Sequence, residues 1–561
     1  MNCSFSATCL QDLVLDDHAD VPWLICPHDP LRTDDADRFS IPQLSSRALS
    51  CAAALRVMAP PRTPILLICE NDASFVVAFF GILLAGMIPV PFPTPHFVEN
   101  RAAYARKLGL VGRDCGAPVV LTNRALESLV QSEQQRTPRM VFVEDLRDHS
   151  TPDAVPARSA PSDTALIQYT SGSTGAPRGV ELSHANILSN ARGIGAAVDA
   201  GAHDVGVSWL PLFHDMGLIG SMLFTLAWGM PYVLLKPRTF LFRPASWLWT
   251  MSRFGGTLSP APNFAYQLCV SRTSDASLQG LHLGSWRVAF NGSEMVHPDT
   301  VQAFSQRFGP LGFRGKVLPV YGLAENALAV SFAELGAPLR IDYIDREQLE
   351  QRKRAVAVAD RENARPVVSV GRALAGQGLR VSDRRGRALP ERAVGEVQVA
   401  GACVMKGYYR NPRATLRAFT RDRWLRTGDR GYVSGGELFL VGRTKDLIKR
   451  HGVSLDPVDI QLAVGSLLGV RTSGVAAFGF ADPEAGTDHL VLAVETTVNG
   501  SKALRELRQE IMAAVLQQCR VRPDDVLFVK RGNLPRTTSG KVRNTECRRR
   551  FLSRELAVIE P

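Results

Sequence analysis

An α/β fold with a largely parallel sheet is what this chain predicts, and three observations carry that prediction. Residues 64–69 (PILLIC), 73–87 and 88–92 read as buried strand, apolar helix and buried strand, the order of a βαβ unit. Short runs at 118–122 (PVVLT) and 140–143 repeat the strand theme. Farther on, runs at 288–290 and 317–320 lead into glycine-containing loops, and in open α/β sheets strand ends are where ligands bind.

Composition narrows the class. A chain of 561 residues should form two or more compact units. With 45% hydrophobic and 21% charged residues it reads as a globular enzyme. The net charge of +11 raises nucleic acid as a partner, yet no RNP aromatic motif, zinc-finger spacing or long basic block is present. The sharpest basic cluster, Arg548-Arg549-Arg550, lies near the C-terminus. We therefore expect no nucleic acid, and a surface that suits an acidic protein or an anionic substrate. The ten cysteines form no CxxC pair, so neither a zinc site nor a disulfide framework is expected, and a reduced, cytoplasmic setting is. The N-terminus, MNCSF, lacks the basic and apolar regions of a secretory signal. Residues 73–92 are apolar enough to raise the membrane question, but a spanning helix needs about 20 uninterrupted residues. Pro89 and Pro91 cut the helical part short at Met87, which predicts a buried helix feeding a buried strand and no membrane span.

In chain order, a helix at 43–58 precedes these strands, and a Pro/Ala/Ser-rich linker at 151–162 leads to the stretch that organises the rest. This is the run from Ile167 to Val180, IQYTSGSTGAPRGV, between a short strand at 164–168 and a helix at about 184–191 that Ser183 can cap. It contains Thr170, Ser171, Gly172, Ser173, Thr174 and Gly175, with Gly179 beyond. Hydroxyls and backbone N–H groups in such a loop wrap oxyanions, because glycine lets the main chain approach a phosphate closely. It is not a P-loop: Pro177 stands where GxxxxGK[ST] needs its second glycine, and GxGxxG fails too. A flexible Ser/Gly loop is the plain alternative. The strand-to-helix setting and the closing Pro177-Arg178-Gly179 favour phosphate binding.

This run resembles the signature loop of the adenylate-forming superfamily, which holds acyl-CoA synthetases, luciferases and nonribosomal-peptide adenylation domains. Companion motifs extend the resemblance over about residues 64–541. The string from Ser208 to Leu218, SWLPLFHDMGL, resembles the substrate gate, and its His-Asp-Met-Gly-Leu form is that of fatty acyl-AMP ligases. Asn291-Gly292-Ser293-Glu294, Tyr321-Gly322-Leu323-Ala324-Glu325 and Trp424-Leu425-Arg426-Thr427-Gly428-Asp429 follow. Next come Gly442-Arg443-Thr444-Lys445-Asp446 and Leu534-Pro535-Arg536-Thr537-Thr538-Ser539-Gly540-Lys541.

The resemblance implies a large N-terminal adenylate-forming domain at 1–441, built of α/β subdomains and a small β-rich subdomain that includes 395–399 and 404–409. A hinge at 442–446 would join it to a small mobile α+β domain at 447–561, with strands at 475–480 and 490–495 and a helix at 503–518. It also implies the roles. Thr170 to Gly175 would hold the pyrophosphate of ATP. His214 would lie beside the substrate carboxylate, with Asp215 either orienting it or serving structure alone. Gly292, Ser293, Tyr321, Gly322 and Leu323 would surround adenine, and the Tyr321 ring would stack on it. Glu325, with Thr170, would hold Mg²⁺ as a hard ligand for a hard ion. Asp429 would take the ribose hydroxyls, Arg443 the ribose or phosphate, Lys445 the pivot and Lys541 the catalytic cation.

The implied activity is ATP-dependent conversion of a medium- to long-chain fatty acid to acyl-AMP, followed by acyl transfer to the phosphopantetheine thiol of an acyl carrier protein or of a carrier domain in a polyketide or nonribosomal peptide synthase. A long-chain acyl-CoA synthetase is the alternative, and Lys449 is a feature of that group. The polar stretch at 331–371, with a charged solvated helix at 345–354, matches the insertion that distinguishes fatty acyl-AMP ligases and is linked to poor use of coenzyme A. Beyond the hinge, after Gly452, Val453 stands where the family usually has a polar or basic residue and Gln461 where it has a glutamate. A silent acyl- or nucleotide-binding protein is a third class, disfavoured by the joint retention of Glu325, Asp429 and Lys541. Apolar stretches at 221–229 and 240–251 read equally as core or as acyl-tunnel lining.

Overall fold

The computed structural model describes residues 6–32, 34–95, 101–130, 138–146, 155–170, 177–361, 364–450, 453–465, 467–482, 487–519, 521–537 and 542–559. Two compact units form. One comprises Met1–Leu339, Val370–Leu379 and Val399–Thr427; the other comprises Arg340–Ser369, Arg380–Gln398 and Gly428–Pro561.

In the first unit the strand Pro64–Ile68 is buried at all five positions and lies between Ile88–Pro91 and Val119–Thr122, with Arg139–Phe142 beyond the latter. All three pairings are parallel. Parallel strands covered on both faces need unbroken apolar runs, which the PILLI and VVLT segments supply. The helix Ala73–Leu84 starts at Asp72, whose carboxylate accepts the Ser74 N–H at 2.9 Å. It ends before the expected Met87, because Gly86 at φ +75° already turns the chain ahead of the prolines.

The largest sheet has nine strands in the order Arg372–Ala373, Ala329–Phe332, Lys316–Gly322, Val288–Asn291, Leu258–Ala261, Gly206–Ser208, Tyr232–Leu234, Pro22–Pro27 and Ala36–Ser40. The six from Lys316–Gly322 to Pro22–Pro27 run parallel, and antiparallel strands close both sides. This aligns the C-terminal ends of Val288–Asn291 and Lys316–Gly322, the two strands whose following loops carry sequence motifs.

A third sheet corrects the sequence reading. The segment Arg178–Ser183, expected as loop, is a strand antiparallel to Thr164–Thr170, and Gly407–Tyr408 pairs along its other side. The Ser/Gly run therefore joins two strands of a hairpin and does not lead straight into a helix. Ser183 caps the next helix in a reciprocal box with Asn186. That helix continues to Ala197, beyond the expected end at 191. Gly195 lies within that helix, and the Trp228 ring fills its side-chain space: a Cβ there would sit 2.0 Å from Trp228 Cε2.

In the second unit Val470–Asp482, Thr487–Thr496 and Asp525–Lys530 form one sheet. On one face lie helices Pro457–Gly465 and Ser501–Cys519, through Ile460, Leu504, Leu507, Ile511 and Val515. On the other, Asn544–Leu552 brings Cys547 and Phe551 onto Ala476 and Phe478. Each fully buried aliphatic side chain here contributes roughly 1.5–3 kcal/mol. The polar stretch expected to be a helix at 345–354 is helical only over Arg346–Gln351, beside an antiparallel pair of strands, Ile341–Ile344 and Arg365–Val368. Leu349 and Val367 share a core with Tyr432, Phe439 and Val441. Among the described residues no helix is long and apolar enough to cross a membrane, and all nine described cysteines are free and buried.

Candidate active site

The strand Lys316–Gly322 delivers Tyr321 and Gly322 to a tightly constrained turn. Leu323 N–H donates to Leu328 O at 2.8 Å, and Leu328 N–H donates back to Asn326 O at 2.6 Å. Ala327 between them takes φ +57°, ψ −57°, a strained γ-turn of the rarer hand. Gly322 is obligatory here, since a Cβ would fall 2.2 Å from Leu328 O. Asn190 clamps the turn from its helix by donating to Ala329 O at 2.8 Å and accepting the Ala329 N–H at 2.9 Å. Such over-determination holds a strained turn in one shape.

The turn aims Glu325. Its backbone oxygen accepts the Met405 N–H at 2.8 Å, and its Oε1 accepts the Tyr408 hydroxyl at 2.9 Å. Arg178 stacks over the Tyr408 ring, its Cζ 5.4 Å from the centroid. Burial, then the Glu325 charge, raises the Tyr408 phenol well above its ordinary range, so it stays a donor. Sequence reasoning placed Tyr408 only in a β-rich region. The signal was present in the VMKGYY run, but its partner is fixed by the pairing of Tyr408 with Val180.

One strand over, Asn291, Gly292 and Ser293 leave Val288–Asn291 beside the Tyr321 loop. A Cβ on Gly292 would lie 2.6 Å from Val320 Cγ2 and 3.0 Å from Val320 O, so the loops touch only because that residue is glycine. Ser293 is exposed and takes φ +70°, a conformation uncommon for a side-chain-bearing residue and frequent at functional sites. Tyr321 is buried, whereas Gly322 and Leu323 are half-buried. The five expected adenine-site residues thus gather at two adjacent strand ends.

His214 holds the N-cap position of the short helix Asp215–Gly217, where the Met216 N–H lies 2.7 Å from Asp215 Oδ1 and 3.3 Å from His214 Nδ1, so the carboxylate is its acceptor and Nδ1 is left to carry a proton. That Nδ1 lies 2.7 Å from Asp215 Oδ1. With Nδ1–H given to the carboxylate, Nε2 is the ring nitrogen left to face a substrate. Burial works against the charged imidazole, but the Asp215 charge and hydrogen bond outweigh it and hold His214 above its ordinary value. Asp215 is correspondingly held low: His214 and the Met216 N–H overcome the effect of its burial. The chain then makes a π-helical turn, Leu218–Leu223, a form that recurs at functional sites. Gly220 in that turn packs on Leu328, where a Cβ would be 2.5 Å from Cδ2, so the His214 segment abuts the Glu325 turn. Gln168, on the strand before the Ser/Gly run, donates to Phe213 O at 2.8 Å. Its Oε1 is buried and lacks a partner among the described residues.

Thr170 ends its strand half-buried, paired with Arg178. Ser171, Gly172, Ser173, Thr174, Gly175 and Lys541 lie outside the described residues, as does the side chain of Lys445. In the stretch 240–251 Phe240, Trp247, Leu248 and Met251 are fully buried, Trp209 stacks on Phe240 at 4.0 Å, and Phe242 is exposed.

In the second unit Asp429 and Arg443 face each other in register on the antiparallel strands Leu425–Ser434 and Glu437–Arg443. Arg443 Nε donates to Asp429 Oδ1 at 2.7 Å. The carboxylate is 6% exposed and the guanidinium far more so, leaving a cationic group at the surface above a buried anion. Among the described residues no cluster of three acidic, His or Cys side chains could hold a metal by itself.

The AMP-binding enzyme family model matches residues 16–409. The chain is 35% identical over 538 residues to a 4-hydroxyphenylalkanoate adenylyltransferase of Mycobacterium marinum, covering 91% of this chain and 85% of the relative. It is 34% identical over 546 residues to the long-chain-fatty-acid–AMP ligase FadD26 of the same species, covering 92% of each. A structure from studies of fatty acyl-adenylate ligases of E. coli and L. pneumophila superposes with a TM-score of 0.90 at 30% identity, over 97% of this chain and 98% of the other. The chain belongs to the AMP-binding enzymes, among their fatty acyl-AMP ligases.

Proposed function

We propose that this enzyme activates a fatty acid with ATP to acyl-AMP, releases pyrophosphate, and then passes the acyl group to the phosphopantetheine thiol of an acyl carrier protein. The observation that carries the reading is Glu325, aimed by a strained turn and held by Tyr408 beside the Gly292 and Tyr321 strand ends, in a chain of this family.

The chemistry follows from leaving groups. A carboxylate is a poor acylating agent, because oxide leaves badly. Its oxygen attacks the α-phosphorus of ATP, the bond to the bridging oxygen of pyrophosphate breaks, and the product is a mixed anhydride. Negative charge builds on the phosphorus oxygens in that transition state, so cations aimed there accelerate it. Lys541 supplies one. The loop from Thr170 to Gly175 binds pyrophosphate oxygens, Asp429 the ribose hydroxyls and Arg443 the ribose or phosphate. Protonated His214 neutralises the incoming carboxylate. The carboxylate of Glu325, whose Oε1 accepts from Tyr408, and the Thr170 hydroxyl are hard oxygen donors that suit Mg²⁺. Bound there, that ion would supply countercharge to the triphosphate. Rotation about Lys445 then withdraws Lys541 and opens the adenylate to the thiol, whose sulfur displaces AMP. Net charge of +11 favours an acidic carrier.

Coenzyme A is the competing thiol, and Lys449 is the residue that favours it. Incubation with a pool of saturated fatty acids, ATP and Mg²⁺, followed by coenzyme A or a holo carrier protein, separates the two by mass spectrometry. Acyl-AMP that loads the carrier and ignores coenzyme A is expected. Efficient acyl-CoA formation would favour the synthetase reading, and no adenylate from any acid would end both.

A further inference from the structure

One buried guanidinium in the second unit reaches both sides of the turn at residues 442–446. Arg365 is 2% exposed and opens the strand Arg365–Val368, within the stretch read from sequence as an insertion. Its Nη2 donates to the carbonyl of Val441, the residue before Gly442, at 2.7 Å. Its Nε stands 2.9 Å from Asp459 Oδ1, and its Nη1 donates to Asp459 Oδ2 at 3.0 Å. Asp459 lies in the first turn of the helix Pro457–Gly465, beyond the turn. Arg346 adds a longer contact to the same carboxylate, 3.6 Å. Asp456 packs against the turn itself: a Cβ on Gly442, which sits at φ +142°, would be 1.7 Å from Asp456 Oδ2.

The strand before the turn and the helix after it are thus tied through one side chain from a third segment. A planar guanidinium fork bonded to a carbonyl through Nη2 and to a carboxylate through Nη1 is geometrically demanding, so a rotation that parts Val441 from Asp459 breaks both bonds together. Little solvent is at hand to compensate the separated charges, which makes the tie worth more than a surface pair.

We infer that Arg365 is a positioning residue for the two-step reaction: it latches residues 441 and 459 together and must release them before the chain can turn about Lys445. This rests on the proposed pivot and names the group that restrains it. Passage from adenylation to acyl transfer then depends in part on a contact made by Arg365.

The test uses the full-length Arg365→Met/Asp459→Asn double variant, which removes both buried charges, and Arg365→Lys, which keeps the charge and loses the fork. Hydrogen exchange of amides 443–447 should quicken about 10-fold or more in the double variant, while amides of the strand Thr487–Thr496 keep their protection. Fatty-acid-dependent ATP–pyrophosphate exchange should stay within about 2-fold, and transfer of the enzyme-formed acyl group from AMP to pantetheine should rise about 5-fold or more. The lysine variant should move the same way by less. Unchanged exchange at 443–447, or transfer that stays level or falls while adenylation is intact, overturns the latch. Protection lost equally from the Thr487–Thr496 strand would make Arg365 merely structural and also overturn it. Lys445→Pro separates the two readings: if it leaves transfer untouched, the pivot fails. If it blocks transfer while the Arg365 variants behave as wild type, only the latch fails.

Discussion

The Tyr408 hydroxyl donates to Glu325 Oε1 across 2.9 Å, joining residues 83 positions apart at the mouth of a strained turn. A hydrogen bond to a carboxylate is worth about 1.5–3 kcal/mol, and half-exposure of this pair takes it toward the lower figure. Tyr408→Phe should therefore lower the rate of pyrophosphate release about 10-fold at limiting Mg²⁺ and raise the Mg²⁺ concentration for half-maximal rate. A Mg²⁺ titration identical to wild type would show that Tyr408 does not hold Glu325 for the metal.

His214 gives a pH signature. Asp215 keeps the imidazole protonated above the usual histidine range although burial opposes the charge. If the imidazolium receives the fatty carboxylate, KM for the acid climbs as pH rises through the His214 pKa. In Asp215→Asn the opposing burial is left unbalanced, so the climb should begin at lower pH while the amide oxygen still accepts the Met216 N–H. Steady-state profiles of KM against pH test this, and a profile unmoved by the substitution rejects the role for His214.

Much of this site could be read from local sequence, and what could not was set by partners distant in the chain. Gly292, Gly322 and Glu325 were legible through the motifs that resemble the family's, because a strand end followed by glycine locates a ligand loop but gives no residue its role. Tyr408 was not, because only the pairing of Gly407–Tyr408 with Arg178–Ser183 brings it to Glu325. That strand was itself missed, and with it the hairpin around the Ser/Gly run. The helix after Ser183 was read too short because Gly193 and Gly195 look like breakers until Trp228 is seen occupying the space beside Gly195. Asp429 and Arg443 were named separately, and their pairing needed the register of a hairpin with a bulge at Arg430/Gly431. The charged stretch at 345–354 looked solvated, yet Leu349 is core and Arg365 nearby is buried in an ion pair.

Asp456 makes the second unit sensitive to pH. Burial, aided by the nearby Asp459, pushes its carboxyl up to about 7, against the opposing pull of Arg365, the Val458 N–H and Arg430. An unfolded aspartate titrates near 3.9, so from about pH 4 to 7 the folded chain keeps a proton that the unfolded chain has lost. The resulting stabilisation is complete at acid pH and is lost as pH rises through 7. Asp456→Asn keeps the neutral form throughout, so its stability relative to wild type should grow from pH 4 to pH 8 by on the order of 2–4 kcal/mol. Urea denaturation at several pH values measures this, and a difference independent of pH would contradict it.

Two substitutions should fail in opposite ways if one pocket serves both half-reactions. Lys541→Ala removes the cation proposed to act on the α-phosphate, so acyl-AMP formation should fall at least about 100-fold while ATP binding persists, the scale of losing a principal electrostatic stabiliser. Supplied with preformed acyl-AMP, the same variant should still load a thiol, because the proposed rotation has carried position 541 away from the site by that stage. Lys445→Pro fixes φ near −65° at the pivot and should do the reverse, forming the adenylate and failing to discharge it. Pyrophosphate release and thioester formation, measured separately on each protein, form a four-way comparison. Equal loss of both steps in both variants would mean that the chain performs one fused reaction with no rotation between its halves.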